Sequence, residues 1–565
     1  MLNKKRLLKL INNNLSLIFI LIFSITIAVL SIYINSTENI LGDSYRDVFF
    51  YLIESLRMSG IGIDGYDYVN FLSPLIPFLC SILFRFGFVS INSIFVITGI
   101  FYILGVLGIF LLFKLRFNNY ISLFSAIFFG SSSLVLIWTG NGTIDVPSVS
   151  LTILTFYFMI LSFEKNQNYF ILAFPLAILS FFAKYTAGLL FPLILLYFLF
   201  KGNLKENIKK YFKKGFLGIV CGVITAIPFA LYFYINKIPL GFIEQAETIG
   251  TSVKTTIKLQ NDVFYYIGNI SKFIYNPNHI ISYIFIVILV IGTVICIYEI
   301  IKYFKNIAKN KNKYLFYYYF IIILAIANVI FSFLIVNQIS FKYCEINFFL
   351  TTVILSIAFN KLNSKLDTKN KKIYKCFSFD LLMICWFTSY MIFFSSHLIK
   401  VDRYFITMMP GLTFLVATSL NKILVNLDSK LNLKINLVNI TINKHVFTKI
   451  ISLILIILLL ITSFSYLTID KRSELAENEK DASEWIKSHD NNYKNVVIYA
   501  DRGPIFTWYL QKEVVYMGSN VPTHDLNNIL KSNNTTYYIS IEKYDLFDYN
   551  LVKTFGQVYI YEIKD

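Results

Sequence analysis

The sequence predicts an α-helical polytopic membrane protein with about thirteen transmembrane helices and a small C-terminal extracytoplasmic α/β domain. Three observations carry this. Of the 565 residues, 56% are hydrophobic and only 15% charged, and the mean hydropathy is +0.63. Apolar runs of about 17–25 residues recur along the chain, the length a bilayer core demands. From about residue 470 the texture changes to short mixed segments.

The formal charge of +18 is unevenly spread. Residues 469–565 hold 11 Lys and Arg against 15 Asp and Glu, a net of −4, so the preceding residues carry +22. That excess sits in short loops such as "KGNLKENIKKYFKKG", "IKYFKNIAKNKNK" and "NKLNSKLDTKNKKIYK". Basic loops between apolar runs mark the cytoplasmic side, so the charge reports topology and not a nucleic-acid partner. The six cysteines are scattered without CxxC spacing and the five histidines are dispersed, against a disulfide framework or a thiolate metal site.

The N-terminus "MLNKKRLLKLINNN" precedes an apolar run too long for a signal-peptide core, so residues 15–36 read as a retained first span with a cytoplasmic N-terminus. The next span is 92–113. Residues 37–91 then form one long outer loop, with "LSPLIPFLCSILFRFG" as a short, Pro-broken interfacial or re-entrant helix. Spans follow at 119–138, 146–163, 169–183, 187–201, 215–236 and 280–301. Another pair meets at "NQISFKYCEIN". An outer hairpin holds "SSHLIKVDRYF" before a span at 404–420, and a last span at 450–468 delivers the tail outside. The membrane domain is thus 1–469 and the extracytoplasmic domain 470–565. In the latter, "ENEKDASEWIKS" and "PIFTWYLQ" have helical spacing, and "NVVIYA", "EVVYM", "YYISIE" and "FGQVYIYEI" read as strands. It contains no Gly-rich phosphate loop or nucleophile elbow and reads as a lid or acceptor-binding accessory.

Ionisable residues near the membrane converge on the predicted outer face. They are Asp43, Arg46 and Asp47 in "GDSYRDVFFYL", Asp145 in "GTIDVPS", Lys184 in "AKYTAG", and Lys400 and Arg403 in "IKVDRYF". Lys342 and Glu345 in "FKYCEIN" form another candidate pair. A carboxylate there can act as a general base or orient an acceptor hydroxyl. Lys and Arg can clamp a phosphate whose charge grows as it leaves. Plainer readings stand beside these. Asp43 and Asp47 suit an interfacial salt-bridge cluster with Arg46, and Asp145 suits a helix N-cap before Pro147. Lys184 suits snorkelling, Arg403 beside Tyr404 a topological anchor, and Asp64 and Asp67 turns. Asn141-Gly142-Thr143 fits a glycosylation sequon, a weak signal.

In this order, a first-loop Asp, "SPLIPFLCSILFRFG", "GTIDVPS", "FFAKYTAGLLFPLILL" and "DRYFITMMPGLTFLVA" resemble the GT-C membrane glycosyltransferases of the protein-O-mannosyltransferase and aminoarabinose-transferase type, over about residues 40–420. The resemblance implies a multi-pass cell-membrane enzyme that takes a sugar from a polyprenyl- or dolichyl-phosphate carrier. It would pass the sugar to a protein, lipid or glycan acceptor on the outer face, with inversion. It implies a base at Asp47 or Asp43, with Asp47 better spaced from the Ser59-Gly60 turn, and a second acidic position at Asp145. Lys184 and Arg403, with Lys400, would face the carrier phosphate, and Arg46 and Tyr404 would serve acceptor orientation. The family's frequent Asp-Glu pair is absent. No cofactor is assigned: a divalent metal stays open, although Lys and Arg can carry the phosphate charge alone. The rival classes are a lipid or solute transporter or flippase, which would place charge at mid-span and show related halves, and a non-catalytic assembly subunit that tolerates loss of the three carboxylates. A polysaccharide ligase or polymerase is chemically close.

Overall fold

Long apolar runs become long helices because backbone polar groups in lipid must be satisfied within their own segment. The computed structural model describes residues 4–38, 46–63, 72–200, 204–239, 262–276, 278–309, 313–336, 341–364, 371–397, 400–430, 436–437, 440–441, 444–468, 473–517 and 522–564. Helix α1 is Lys4–Glu38, α2 Arg46–Ser59, α3 Leu75–Arg85, α4 Asn92–Lys114, α5 Asn119–Ser131, α6 Ser133–Gly140 and α7 Asp145–Glu164. Then come α8 Phe170–Ala183, α9 Leu190–Phe200, α10 Leu204–Ile235, and the single turns α11 Tyr265–Gly268 and α12 Ile270–Ile274. Helices α13 His279–Lys309, α14 Lys313–Leu334, α15 Phe341–Ser364, α16 Lys371–Ser395, α17 Met409–Lys430 and α18 Lys444–Leu467 complete the bundle. Two-residue strands β1 Asn436–Leu437 and β2 Ile440–Thr441 pair in the α17–α18 connection.

Among the described residues, eight helices are long and apolar enough to cross a membrane, or nine if the bent pair α5–α6 is one span. The sequence-based expectation of about thirteen also counted α8 and α9, which are shorter apolar helices here. The 119–138 segment is not straight. It bends by 52° at Ser132, whose extended backbone (ψ 133°) divides "SSS". Serine hydroxyls compete with the helix ladder, and Ser132 Oγ donates to the Phe129 carbonyl at 2.9 Å. The expected long first loop contains two helices: α3 lies where a short one was anticipated, whereas α2 was not anticipated.

Helices α1, α4, α7, α8 and α10 pack in succession, and α13 packs on α17. Small residues set the close approaches, as is usual between membrane helices: a Cβ on Gly105 of α4 would overlap Ser150 of α7. Hydroxyls lock α7 to α8. Thr152 Oγ1 and Ser180 Oγ are 2.6 Å apart, and Ser180 Oγ donates to the Ser148 carbonyl at 3.0 Å. At the end of α4 remote from α3, Arg116 grips Asp380 of α16 through two bonds of 2.7 and 3.0 Å.

The tail forms the expected α/β unit: α19 Glu474–His489, β3 Val497–Ala500, α20 Gly503–Leu510, β4 Val515–Tyr516, α21 Thr523–Ser532, β5 Thr535–Ser540, β6 Tyr549–Phe555 and β7 Val558–Ile563. The sheet order is β4-β3-β5-β7-β6, with β3 parallel to β4 and β5, and β7 antiparallel to β5 and β6. Buried Asp501 closes the β3–β5 edge by accepting from Tyr538, from Ser540 Oγ at 2.6 Å and from the Ile541 amide at 3.2 Å. Helix α20 keeps Phe506 and Leu510 in the unit's own core and places Ile505 and Trp508 in a cluster with α2 and α3. The tail is therefore docked against the helix that carries Asp47.

Candidate active site

The α7–α8 hydroxyl lock determines where two charges meet. Ser148 lies one turn past Asp145, and Ser180 lies one turn before Lys184, whose amide bonds the Ser180 carbonyl at 3.1 Å. With that register fixed, Lys184 Nζ donates to Asp145 Oδ1. Asp145 is not the N-cap: Ile144 takes that position and Asp145 is the first helical residue. There the helix dipole favours its negative charge, and its side chain reaches across to Lys184. Its second oxygen, Oδ2, is buried with no hydrogen-bond partner among the described residues.

The second pair is built from sequence-distant pieces. Asp47 sits in the first turn of α2. Arg403 sits in the 3₁₀ segment Asp402–Met408 that leads into α17. Asp402 is held by Tyr265 Oη at 2.6 Å and Lys272 Nζ at 2.5 Å, and the Trp386 indole fixes the Thr407 carbonyl at 3.0 Å. So anchored, Arg403 Nη2 donates to Asp47 Oδ2 at 2.7 Å, while its Nε is buried without a hydrogen-bond partner among the described residues.

Tyr404 joins the pairs. Lys184 Nζ lies 4.8 Å from the Tyr404 ring centroid and the Arg403 guanidinium 5.9 Å from it. Phe394 stacks against Tyr404 at 4.7 Å, and Trp138, delivered by the α5–α6 bend, lies 5.9 Å from Arg403. Aromatic faces beside two cations reduce their mutual repulsion. The pairs differ in access. Asp145 is 1% exposed and Lys184 12%, against 26% for Asp47 and 20% for Arg403. Asp145 is thus a buried counter-charge, and Asp47 is the carboxylate that a second molecule can reach.

Residues 72–232 match the family described as dolichyl-phosphate-mannose-protein mannosyltransferase. ArnT from Cupriavidus metallidurans superposes in its apo state with a TM-score of 0.57 and bound to undecaprenyl phosphate with 0.56. Both are 11% identical, and each alignment covers 96% of this chain and 97% of that one. The archaeal oligosaccharyltransferase AglB from Archaeoglobus fulgidus, in complex with an inhibitory peptide and a dolichol-phosphate, superposes at 0.53. It is 10% identical, over 92% of this chain and 69% of that one. No curated protein matches in sequence. The chain has the GT-C fold of membrane glycosyltransferases.

Within this GT-C bundle, five of the residues selected from sequence converge: Asp47, Asp145, Lys184, Arg403 and Tyr404. Lys400 turns elsewhere, its Nζ reaching the His397 carbonyl at 3.1 Å. Burial draws the Lys400 ammonium below its ordinary range, with Asp262 opposing. Arg46 begins α2, but its side chain lies outside the described residues, as do Asp43, Asp64 and Asp67. Asn141 is 2% exposed, which removes the sequon from solvent. Its neighbour Gly142 turns the chain into α7 at φ +69° with Ile94 and Phe95 close by. Among the described residues no group of three or more His, Cys, Asp or Glu side chains converges as a metal site.

Sequence reasoning missed Tyr51 and Trp138. Tyr51 is buried one turn beyond Asp47; burial, then the Asp47 carboxylate, holds its phenol well above the ordinary range. The signal was present in "DVFFYLIES", where positions 47, 51 and 54 share a helical face.

Proposed function

We propose that the protein transfers a sugar from a polyprenyl- or dolichyl-phosphate donor to an acceptor hydroxyl or amide on the outer face of the membrane, with inversion. The observation that carries this is the pairing of the reachable Asp47 with Arg403, beside the buried Asp145–Lys184 pair and across a shared Tyr404. The positive-inside pattern of the loops supports an outer location for this end of the bundle and for the docked α/β unit.

In this reading the donor phosphate enters between Lys184 and Arg403, taking the Nε–H that has no protein partner among the described residues. Arg403 forks suit phosphate, and buried charge-assisted bonds are strong. As the phosphate engages Arg403 it releases Asp47, which accepts the proton of the acceptor group. The acceptor atom forms its bond to the anomeric carbon from the face opposite the phosphate. The bond from that carbon to the phosphate oxygen breaks, and its electron pair leaves with the phosphate. Lys184 and Arg403 stabilise the added charge, and Asp145 keeps Lys184 in place.

The test uses purified protein in lipid, a panel of radiolabelled polyprenyl-phosphate sugars and membrane extract as acceptor source. Wild type should transfer label from at least one donor, and folded Asp47→Asn should not. Folded wild-type protein that transfers from no donor overturns the reading, and label carried across vesicles without transfer would point to a transporter.

A further inference from the structure

A buried carboxylate outside the two ion pairs bears on which sugar this site takes. Glu345 lies one turn inside α15 and is 6% exposed. Its sequence neighbour Lys342 is exposed, so the two do not form the pair their spacing suggested. Instead Ser389 Oγ of α16 donates to Glu345 Oε2 at 3.1 Å, and Oε1 is buried with no hydrogen-bond partner among the described residues. An unpartnered carboxylate oxygen inside a membrane protein is costly and marks a ligand position by default.

Its surroundings connect it to the phosphate cations. Tyr390, adjacent to Ser389, donates to the Thr186 carbonyl at 3.1 Å. Thr186 is two residues beyond Lys184, and its Oγ1 is likewise buried without a hydrogen-bond partner among the described residues. The Tyr390 ring stacks on Phe394 at 6.1 Å, and Phe394 stacks on Tyr404, over which Lys184 sits. One aromatic row therefore runs from the Lys184 ammonium to the Glu345 cluster.

We propose that Glu345, Thr186 and Ser389 form a subsite for the hydroxyl groups of the donor's sugar ring and thereby select the sugar. This rests on the transfer reading above. The chemistry narrows the occupant: the phosphate has its cations at Lys184 and Arg403, and a hydrocarbon tail would leave Oε1 and Thr186 Oγ1 unsatisfied. A sugar ring attached to a phosphate at Lys184 and Arg403 supplies hydroxyl donors for Oε1 and an acceptor for Thr186. Sites that hydrogen-bond a substrate hydroxyl reject analogues that lack it, because the buried partner is then left unpaired.

Equilibrium binding to two probes tests this: bare polyprenyl phosphate, and polyprenyl phosphate carrying the sugar that binds wild type most tightly from a panel. Glu345→Gln keeps the shape, and Ser389→Ala is the second variant. Both should weaken the sugar-bearing probe about tenfold or more while leaving bare carrier within about twofold, and Glu345→Gln should flatten the preference across the panel. Equal weakening of both probes, or no change in either, overturns the subsite. If wild type transfers nothing yet binds the sugar-bearing probe more tightly than bare carrier, and Glu345→Gln erases that difference, the subsite stands and the transfer reading fails. If transfer proceeds and Glu345→Gln leaves its kcat/KM and donor preference unchanged, the subsite alone fails.

Discussion

The ring of Phe49 on α2 lies 5.9 Å from the ring of Tyr509 on α20, so the α/β tail touches α2 two residues from Asp47. Trp508 extends the contact to Phe84 of α3 at 6.1 Å, and Ile505 shares the same core. Helix α2 has only fourteen residues and follows a segment outside the described structure. Its orientation therefore depends on what packs against it, since short helices draw their stability from tertiary contacts.

Removing that brace should misplace Asp47 without touching substrate. Trp508→Ala is expected to lower kcat by about tenfold or more, because small displacements of a positioned group are expensive in rate. Affinity for bare polyprenyl phosphate should hold. An unchanged kcat in folded protein would show that the tail does not position α2.

The Asp47–Arg403 pair separates two roles. Asp47→Asn should reduce transfer by about 10²-fold or more while carrier phosphate still binds. Arg403→Lys keeps the charge but loses the planar fork, so it should weaken bare polyprenyl phosphate binding and retain part of the activity. If Asp47→Asn instead abolished phosphate binding and left turnover of bound donor intact, the assignments would be reversed.

For Asp145 and Lys184 the expected signature is coupling. Breaking a buried pair leaves one charge uncompensated and costs about 3–5 kcal/mol, more than replacing both partners. Asp145→Asn and Lys184→Met should each lower the thermal midpoint in detergent, and the double variant should recover part of the loss. Additive losses would mean that the ion pair does not hold α7 to α8.

The sequence made the fold class legible because spanning helices must be long and apolar, a signal that survives without any knowledge of tertiary contacts. The same cue worked against α2, whose segment carries Asp47, Glu54 and Arg57 and so read as a loop. Asp145 looked like a cap because "IDVPS" has cap composition. Its ion pair with a lysine 39 positions away depends on the Thr152–Ser180 register, which local pattern does not encode. Lys400 and Arg403 looked equivalent in "IKVDRYF", but the Asp402 anchor turns them to different partners.

Glu54 gives a prediction in pH. It lies two turns beyond Asp47 on α2, is 3% exposed, and accepts a hydrogen bond from Tyr232 of α10. Burial raises its carboxyl from 4.5 to about 7, with the Tyr232 bond and the Arg57 charge opposing. Between those two values the folded protein holds a proton that the unfolded chain has released. The protonated carboxyl therefore contributes stability fully below about pH 4.5, and that contribution is lost as pH rises through about 7. The shift corresponds to on the order of 3 kcal/mol. Glu54→Gln keeps an uncharged group of the same shape beside Tyr232, so its thermal midpoint should stay nearly level between pH 5 and 8 while that of wild type falls. Parallel declines in the two proteins would assign the pH dependence to other groups.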